Sequence, residues 1–123
     1  MKTLLLVEDN EDNRDMLSRR LKRKGYRVET AVNGREALEM ASRLHPDLIL
    51  MDLSMPVMDG WEATRRLKES PELRHIPVVV LTGHAMKEDR KRAFAIGAQG
   101  YIPKPINMQA LLDCLTALLE NPE

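Results

Sequence analysis

Five short apolar runs, separated by segments with helical periodicity, constrain the fold of this chain more than any other feature of its sequence. The runs span residues 3–7, 28–31, 48–51, 78–81 and 101–102. The central ones are continuous rather than alternating, which is typical of strands that are buried on both faces of a parallel sheet. We therefore expect five strands in this order along the chain.

The segments between and after these runs predict five helices. In the last one, apolar residues recur at spacings of three and four between Met108 and Leu119, directly after the predicted N-cap Asn107. The second opens at Asn33 with Glu36 three residues later, which is the capping-box pattern. The other predicted helices span about residues 12–24, 61–69 and 87–96, with Gly25 and Gly97 as C-terminal stops.

Strict alternation of strands and helices indicates a parallel sheet, because parallel neighbours cannot be joined by tight hairpins. Right-handed crossovers then place helices on both faces of that sheet. We predict an α/β fold of the (βα)₅ type, a doubly wound, flavodoxin-like, five-stranded parallel sheet with strand order 2-1-3-4-5. Because 123 residues suit one domain, we expect residues 1–123 to form a single domain with no output domain.

The composition argues against several classes of function. Lysine plus arginine equals aspartate plus glutamate at 19 each, so the chain lacks the basic excess expected of a nucleic-acid-binding protein. Aromatic residues make up 3% of the chain, too few for a base-stacking platform. One cysteine, no charged-then-apolar leader and no bilayer-length apolar run predict a soluble, cytoplasmic protein without direct nucleic-acid or membrane partners.

Polar residues follow the predicted strands at the carboxyl ends, where ligands bind in folds of this kind. They are Glu8 and Asp9 after the first strand, Asp52 after the third, Thr82 after the fourth and Lys104 after the fifth. Three carboxylates at one edge repel one another, so either some of them stay protonated or a cation is bound, and a hard divalent cation resolves the conflict. Because Mg²⁺ prefers oxygen ligands and keeps several waters, we predict Mg²⁺ as the cofactor.

Asp52 is the predicted nucleophile, since a carboxylate can accept a phosphoryl group as an acyl phosphate. Lys104 supplies a fixed positive charge to the transferring oxygens, and Thr82 can donate a hydroxyl hydrogen bond to the same group. Each of these residues, taken singly, is more often a turn residue, a helix cap or a solvated charge. Together they indicate phosphoryl chemistry, because independent strand ends bring compatible groups to one edge.

Five segments make the chain similar to the receiver domains of response regulators in two-component phosphorelays. The similarity covers nearly the whole chain, from Leu4 through the last helix. The segments are Leu-Val-Glu-Asp-Asn at 6–10, Asp-Leu-Ile-Leu-Met-Asp at 47–52, Met-Pro-Val-Met-Asp-Gly at 55–60, Val-Leu-Thr-Gly at 80–83 and Lys-Pro at 104–105.

This resemblance implies roles for the acidic residues. Asp52 would be the phosphoacceptor, and Mg²⁺ would be held by Asp9, Asp52 and the backbone carbonyl of Ser54. Glu8, where many relatives have aspartate, would act on the metal mainly through water. Its side chain is longer by one methylene but carries the same charge.

The resemblance also implies a switch. Thr82 and Lys104 would contact the phosphoryl group, and Tyr101 occupies the aromatic switch position. Attraction of Thr82 to the phosphoryl group would let Tyr101 turn inward and change the surface formed by the fourth helix, fifth strand and fifth helix. The peptide bond between Lys104 and Pro105 matches one that is typically cis in the family.

The partners implied by the resemblance are a sensor histidine kinase or a histidine phosphotransfer protein as donor, and a downstream protein that the sequence does not identify. The domain would be a monomer or a phosphorylation-dependent dimer. It would catalyse only its own phosphorylation and dephosphorylation, which makes it a regulatory phosphoacceptor rather than an enzyme with an external substrate.

Two alternatives from other classes stay open at this stage. A phosphatase with an aspartyl-phosphate intermediate, of the haloacid-dehalogenase-like type, would carry Asp-x-Asp after its first strand. Here the candidate nucleophile stands in Asp-Leu-Ser at 52–54, which argues against that alternative. A phosphorylation-independent interaction domain with the same fold would not need the acidic residues, the hydroxyl and the lysine that this chain carries.

Several other features have a structural interpretation. The basic run at residues 19–24 is interpreted as a solvated helix face with Leu17 and Leu21 turned to the core, and as a second hypothesis it docks the phosphodonor. Trp61 either lies on the surface or covers the start of its own helix, and the sequence does not decide between the two. The three histidines have no ligand spacing, so no zinc site is expected.

Overall fold

Five strands and five helices alternate within residues 1–53, 58–83 and 87–119, which are the residues described by a computed structural model. The alternation confirms the predicted order of elements. The strands are β1 (Thr3–Val7), β2 (Arg27–Ala31), β3 (Leu48–Asp52), β4 (Val78–Thr82) and β5 (Gly100–Pro103). The helices are α1 (Glu11–Arg23), α2 (Gly34–Leu44), α3 (Gly60–Glu69), α4 (Lys87–Ala95) and α5 (Met108–Leu119).

The strands form one parallel sheet with the order β2-β1-β3-β4-β5. This topology confirms the predicted doubly wound, flavodoxin-like fold. The chain leaves β1 toward β2 on one side and returns to β3 on the other, so the connections after β1 and β3 diverge. A crevice therefore opens at the carboxyl ends of these two strands, where such folds bind ligands.

Helices cover both faces of the sheet and create two apolar cores. On the first face, which we call the α2–α4 face, residues such as Ala63 and Ala93 pack against the sheet. On the second, the α1–α5 face, Leu21 and Leu111 pack against it. Every residue of β3 and β4 is buried, which explains why these two strands are continuous apolar runs until their last residue.

Side-chain caps fix the starts of the helices where the sequence predicts them. Asn33 accepts a hydrogen bond from the backbone N–H of Glu36 at 2.8 Å, and the Glu36 carboxylate accepts one from the N–H of Val32 at 3.0 Å. Asn107 accepts from the N–H of Ala110 at 3.0 Å. The first and third helices each start one residue earlier than predicted because Asn10 and Asp59 cap them, each accepting a hydrogen bond at 2.9 Å from the N–H three residues later.

Strands β3, β4 and β5 each end one residue later than predicted, and β2 and β5 each begin one residue earlier. β3 and β4 continue through Asp52 and Thr82, so these polar residues belong to the strands instead of following them. Their backbones are thereby held in the sheet ladder, which limits the freedom of both side chains.

The basic run at residues 19–24 lies on the exposed face of α1. Leu17 and Leu21 are buried while the basic residues of the run are exposed, which confirms the solvated helix face. In the described parts of the chain, no helix combines the length and apolar character needed to cross a membrane.

Candidate functional site

The predicted acidic residues converge at the carboxyl edge of β1 and β3. Ligand oxygens of Glu8, Asp9 and Asp52 all lie within 4.8 Å of one another. Glu8 is only 4% exposed and Asp52 only 3%, whereas Asp9 faces solvent. Within residues 1–53, 58–83 and 87–119, this is the one group of three or more acidic, histidine or cysteine side chains close enough to share a cation.

Lys104 supplies positive charge to this cluster. Its Nζ lies 3.1 Å from Oε1 of Glu8 and 3.3 Å from Oδ1 of Asp52. Burial alone would lower the pKa of the Lys104 ammonium, but the charges of the two carboxylates and their hydrogen bonds more than offset this effect. The net result is a pKa above the ordinary lysine value, so Lys104 is protonated at neutral pH.

The backbone of Lys104 is fixed as firmly as its side chain. Its N–H donates to the carbonyl of Thr82 at 2.7 Å, which extends the pairing of β4 with β5 by one residue. The following Lys104–Pro105 peptide bond is cis, as the resemblance implies. The aliphatic stem of Lys104 therefore starts from a position set by two neighbouring strands.

Glu8 is held by contacts that the sequence did not reveal. Its Oε2 accepts a hydrogen bond from the N–H of Asn10 at 3.2 Å, while Oε1 contacts Lys104. Arg14 donates from Nη1 to the carbonyl of Glu8 at 3.0 Å and so ties the first turn of α1 to the acidic segment. An arginine six residues after the first acidic residue is the only trace of this contact in the sequence.

The start of α3 packs against the main chain of Asp52 and Leu53. Gly60 donates its N–H to the carbonyl of Leu53 at 3.1 Å. A Cβ built on Gly60 would lie 2.1 Å from the carbonyl oxygen of Asp52, so only glycine fits here without moving the backbone. The motif at 55–60 contains Gly60, but nothing in the sequence shows that this glycine lies against Asp52.

Thr82 and Tyr101 lie on a different side of the sheet from Asp52. Because successive residues of a strand alternate, Thr82 falls on the α2–α4 face with Val80, and Asp52 falls on the α1–α5 face with Leu50. Tyr101 pairs with Val80 in the register of β4 and β5 and packs, partly buried, against the α2–α4 core. Thr82 is therefore the next residue on the same face as the Tyr101 ring.

The predicted switch residue has a shifted ionisation. Partial burial raises the pKa of the Tyr101 phenol, the charge of Asp89 raises it further, and the charge of Arg90 opposes the shift.

The predicted metal ligand Ser54 lies outside the described residues. The candidate site that the structure assembles consequently comprises Glu8, Asp9, Asp52 and Lys104 at the carboxyl edge of the sheet, while Thr82 and Tyr101 lie on the α2–α4 face.

Trp61, which the sequence left undecided, is partly buried against the α2–α4 core. The guanidinium carbon of Arg92 lies 4.0 Å from the centroid of its ring. Cys114 is half-buried, and burial raises the pKa of its thiol, which disfavours the reactive thiolate.

Comparison with known proteins agrees with this arrangement. Residues 4–116 match the family described as the response regulator receiver domain. The chain belongs to this family. It is thus a receiver domain of two-component, phosphorelay signalling, as its motifs indicated.

Individual relatives cover the same length. The polar-differentiation response regulator DivK of Brucella ovis is 41% identical over 118 residues, which is 96% of each chain. The chemotaxis protein CheY4 of Vibrio cholerae is 37% identical, with a TM-score of 0.90 over 97% of this chain and 99% of that one. The receiver domain of the Pseudomonas aeruginosa sensor histidine kinase PA1611 is 34% identical, with a TM-score of 0.90 over 98% of both chains, and its structure has a magnesium ion coordinated in the active-site cleft.

Proposed function

We propose that this receiver domain accepts a phosphoryl group on Asp52 from a phosphohistidine donor, with Mg²⁺ bound by the acidic cluster. The observation that carries the proposal is the environment of Asp52, a buried carboxylate within 3.3 Å of a lysine and beside two further carboxylates. That combination of a nucleophilic oxygen, a fixed cation and oxygen ligands for a divalent ion is what phosphoryl transfer to a carboxylate requires.

The donor set fits magnesium. Carboxylate oxygens are hard ligands, and three of them lie within 4.8 Å of one another. A small divalent cation can bind all three and neutralise more of their charge than the single ammonium of Lys104 does. We assign Asp9 and Asp52 as direct ligands, Glu8 as a ligand through water, and the Ser54 carbonyl as the backbone ligand. When bound, Mg²⁺ would neutralise charge on the phosphoryl oxygens as a Lewis acid.

The protein's own groups then have defined tasks. A carboxylate oxygen of Asp52 forms a bond to phosphorus while the bond from phosphorus to the donor imidazole nitrogen breaks. The donor ring carries a proton on its other nitrogen, so the imidazole leaves as a neutral ring. Lys104 must shift its hydrogen bond from Asp52 to a phosphoryl oxygen. The sheet ladder around Asp52 keeps the nucleophile in place during the exchange.

The output follows from the position of Thr82. Its hydroxyl lies on the face that it shares with the Tyr101 ring, so moving Thr82 toward a phosphoryl group opens space beside that ring. Tyr101 then turns inward and alters the surface of α4, β5 and α5. A nearly complete shift would need about 5.5 kcal/mol of preference for the active state, so a partial shift is expected from a few hydrogen bonds.

Intact mass tests the proposal directly. We expect incubation with acetyl phosphate or phosphoramidate to add one phosphoryl group, about 80 Da, to the wild-type chain when Mg²⁺ is present and not with excess chelator. Asp52→Ala should show no adduct under either condition. Wild type without an adduct and without beryllofluoride binding would instead favour a phosphorylation-independent interaction domain, whereas beryllofluoride binding without an adduct would indicate rapid dephosphorylation. Sustained turnover of a phosphomonoester would favour the phosphatase alternative.

We further propose that the phosphodonor docks along α1. A groove of about 530 Å³ runs from Lys104 between α1 and the start of α5, with an apolar floor that includes Met16, Leu17 and Met108. Arg20 lines it and also contributes, with Arg23, to the basic surface beside it. A donor helix that presents apolar and acidic side chains would match this groove and would bring its histidine to the Asp52 edge.

Charge reversal tests the docking surface. The double variant Arg20→Glu, Arg23→Glu should slow transfer from a histidine phosphotransfer protein by roughly tenfold or more, because like charges would face the donor. Phosphorylation by phosphoramidate, which needs no docking, should be unchanged. The matched control Arg35→Glu, Arg43→Glu reverses two exposed charges on α2, across the sheet. Equal transfer rates in both double variants would refute docking on α1.

A further inference from the structure

Helix α4 is attached to the rest of the domain by few apolar contacts. Among its described side chains only Ala93 is buried, and Phe94 is 41% exposed. Over residues 89–95, whose side chains the structure describes, most of the helix surface therefore faces solvent, and few lateral contacts hold it there. A helix held in this way can move at little cost when one of those contacts changes.

One of the lateral contacts reaches α3. Arg92, in the last turn of α4, places its guanidinium carbon 4.0 Å from the centroid of the Trp61 ring, within the range of a cation–π interaction. The Trp61 ring packs partly buried on the same α2–α4 core that contains Ala93 and contacts Tyr101. The indole thus stands between the core and a cation of the lightly held helix.

On its other side, Trp61 is linked through Gly60 to Asp52, the proposed phosphorylation site. Trp61 directly follows Gly60, whose backbone lies against the carbonyl of Asp52 and donates its N–H to Leu53 at 3.1 Å. The first turn of α3 consequently cannot keep its position if the end of β3 is displaced. The main chain of Asp52, the backbone of Gly60, the adjacent Trp61 and Arg92 thus form a continuous path from the residue that carries the acceptor carboxylate to α4.

We propose that the Arg92–Trp61 contact holds α4 in the resting position and that loading of Asp52 weakens it, which gives the site a second connection to α4 besides Tyr101. The contact belongs to the conformation in which Lys104 pairs with Asp52, and that pairing must end when a phosphoryl group arrives. This inference rests on the proposed function. Because coupling between sites is reciprocal, removing a contact that favours the resting state must strengthen binding at Asp52.

The test uses beryllofluoride with Mg²⁺ as the phosphoryl mimic and Trp61, the one tryptophan of the chain, as the optical probe. We expect beryllofluoride to change the Trp61 emission of the wild type, and the change to shrink at least about twofold in Arg92→Met, where no cation stacks on the ring. From the usual strength of an exposed cation–π contact, Arg92→Met should bind beryllofluoride about two- to fivefold more tightly. Arg92→Lys keeps a cation and should fall between the two.

The matched control is Arg90→Met. Arg90 is exposed on the same helix and lies 5.8 Å from the Phe94 ring, on a different aromatic side chain. It should leave both the Trp61 response and the beryllofluoride affinity at wild-type values. Because both arginines are on the surface, neither variant is expected to unfold.

Binding is followed independently by ¹⁹F NMR, so the two proposals can fail separately. Wild type that binds no beryllofluoride would overturn the proposed function and this inference with it. Wild type that binds, with Arg92→Met unchanged in both affinity and emission response, would overturn only the coupling. Weaker binding in Arg92→Met would also overturn it, because the contact would then belong to the loaded state.

Discussion

Replacing Lys104 by methionine should slow phosphorylation of Asp52 by phosphoramidate by a factor on the order of 10² to 10³ at saturating Mg²⁺. The ammonium lies 3.3 Å from the acceptor carboxylate and 3.1 Å from Glu8, so it is already aimed at the place where negative charge develops on the phosphoryl oxygens. Methionine has a similar length and shape but no charge and no donor. The rate is read from the growth of the adduct by intact mass.

The same variant should also be less stable without metal. Lys104 is 26% exposed, while the side chains of Glu8 and Asp52 are 5% exposed, so its removal leaves two buried carboxylates without their cation. Discounted for partial solvent screening, the loss should be about 2 kcal/mol in the free energy of unfolding, measured by urea titration in chelator. Mg²⁺ should restore most of it, since a divalent cation neutralises the same charges.

An exposed lysine provides the control for this pair of effects. Lys91→Met removes one positive charge from the surface of α4, away from the acidic cluster. Its adduct rate and its stability should match the wild type within error. If Lys104→Met also kept the wild-type transfer rate, Lys104 would have no part in the chemistry of the site.

The sequence predicted the fold because its signals are local. Continuous apolar runs identify β3 and β4 as strands covered on both faces, and Asn33 and Asn107 mark helix starts through hydrogen bonds that reach only three residues along the chain. The alternation of elements then limits the topology to few choices. The errors of one residue, at Asp52 and Thr82, arise because a polar side chain ends an apolar pattern without ending the backbone ladder.

Positions at the strand ends also allowed the sequence to assemble the acidic cluster and Lys104 at one edge. What it could not supply are contacts that depend on the distance between elements. The hydrogen bond from Arg14 to the carbonyl of Glu8, and the stacking of Arg92 on Trp61, join residues whose spacing follows no periodic pattern. Likewise, the sequence brings Lys104 near three carboxylates but does not show that it contacts Glu8 as well as Asp52.

Gly60→Ala should be among the most destabilising single substitutions of a small residue in this domain. The new Cβ would lie 2.1 Å from the carbonyl oxygen of Asp52 and 2.7 Å from Cα of Leu53. Both are backbone atoms in or beside a fully buried strand, so no side chain can rotate away to make room. Overpacking against a fixed backbone should lower the free energy of unfolding by about 3 kcal/mol, which corresponds to roughly 10 °C in the melting temperature.

A displacement of the start of α3 in Gly60→Ala should slow phosphorylation of Asp52 as well as lower the stability. If the start of α3 moves to relieve the clash, the hydrogen bond from Gly60 to Leu53 lengthens, and the end of β3 loses the contact that holds Asp52 from behind. The adduct should then form more slowly even at a temperature where Gly60→Ala is fully folded. Circular dichroism melting and the intact-mass rate measure the two effects separately.

Gly83→Ala separates steric crowding from the general cost of replacing a glycine near the site. Among the described residues, a Cβ at Gly83 meets no atom within 4 Å, and its φ lies outside the left-handed region, although this residue directly follows Thr82. Its stability should stay within about 0.5 kcal/mol of the wild type. Equal melting temperatures for the Gly60 and Gly83 variants would mean that α3 can withdraw from Asp52 freely, and the contact series from the acceptor to Trp61 and α4 would lose its first step.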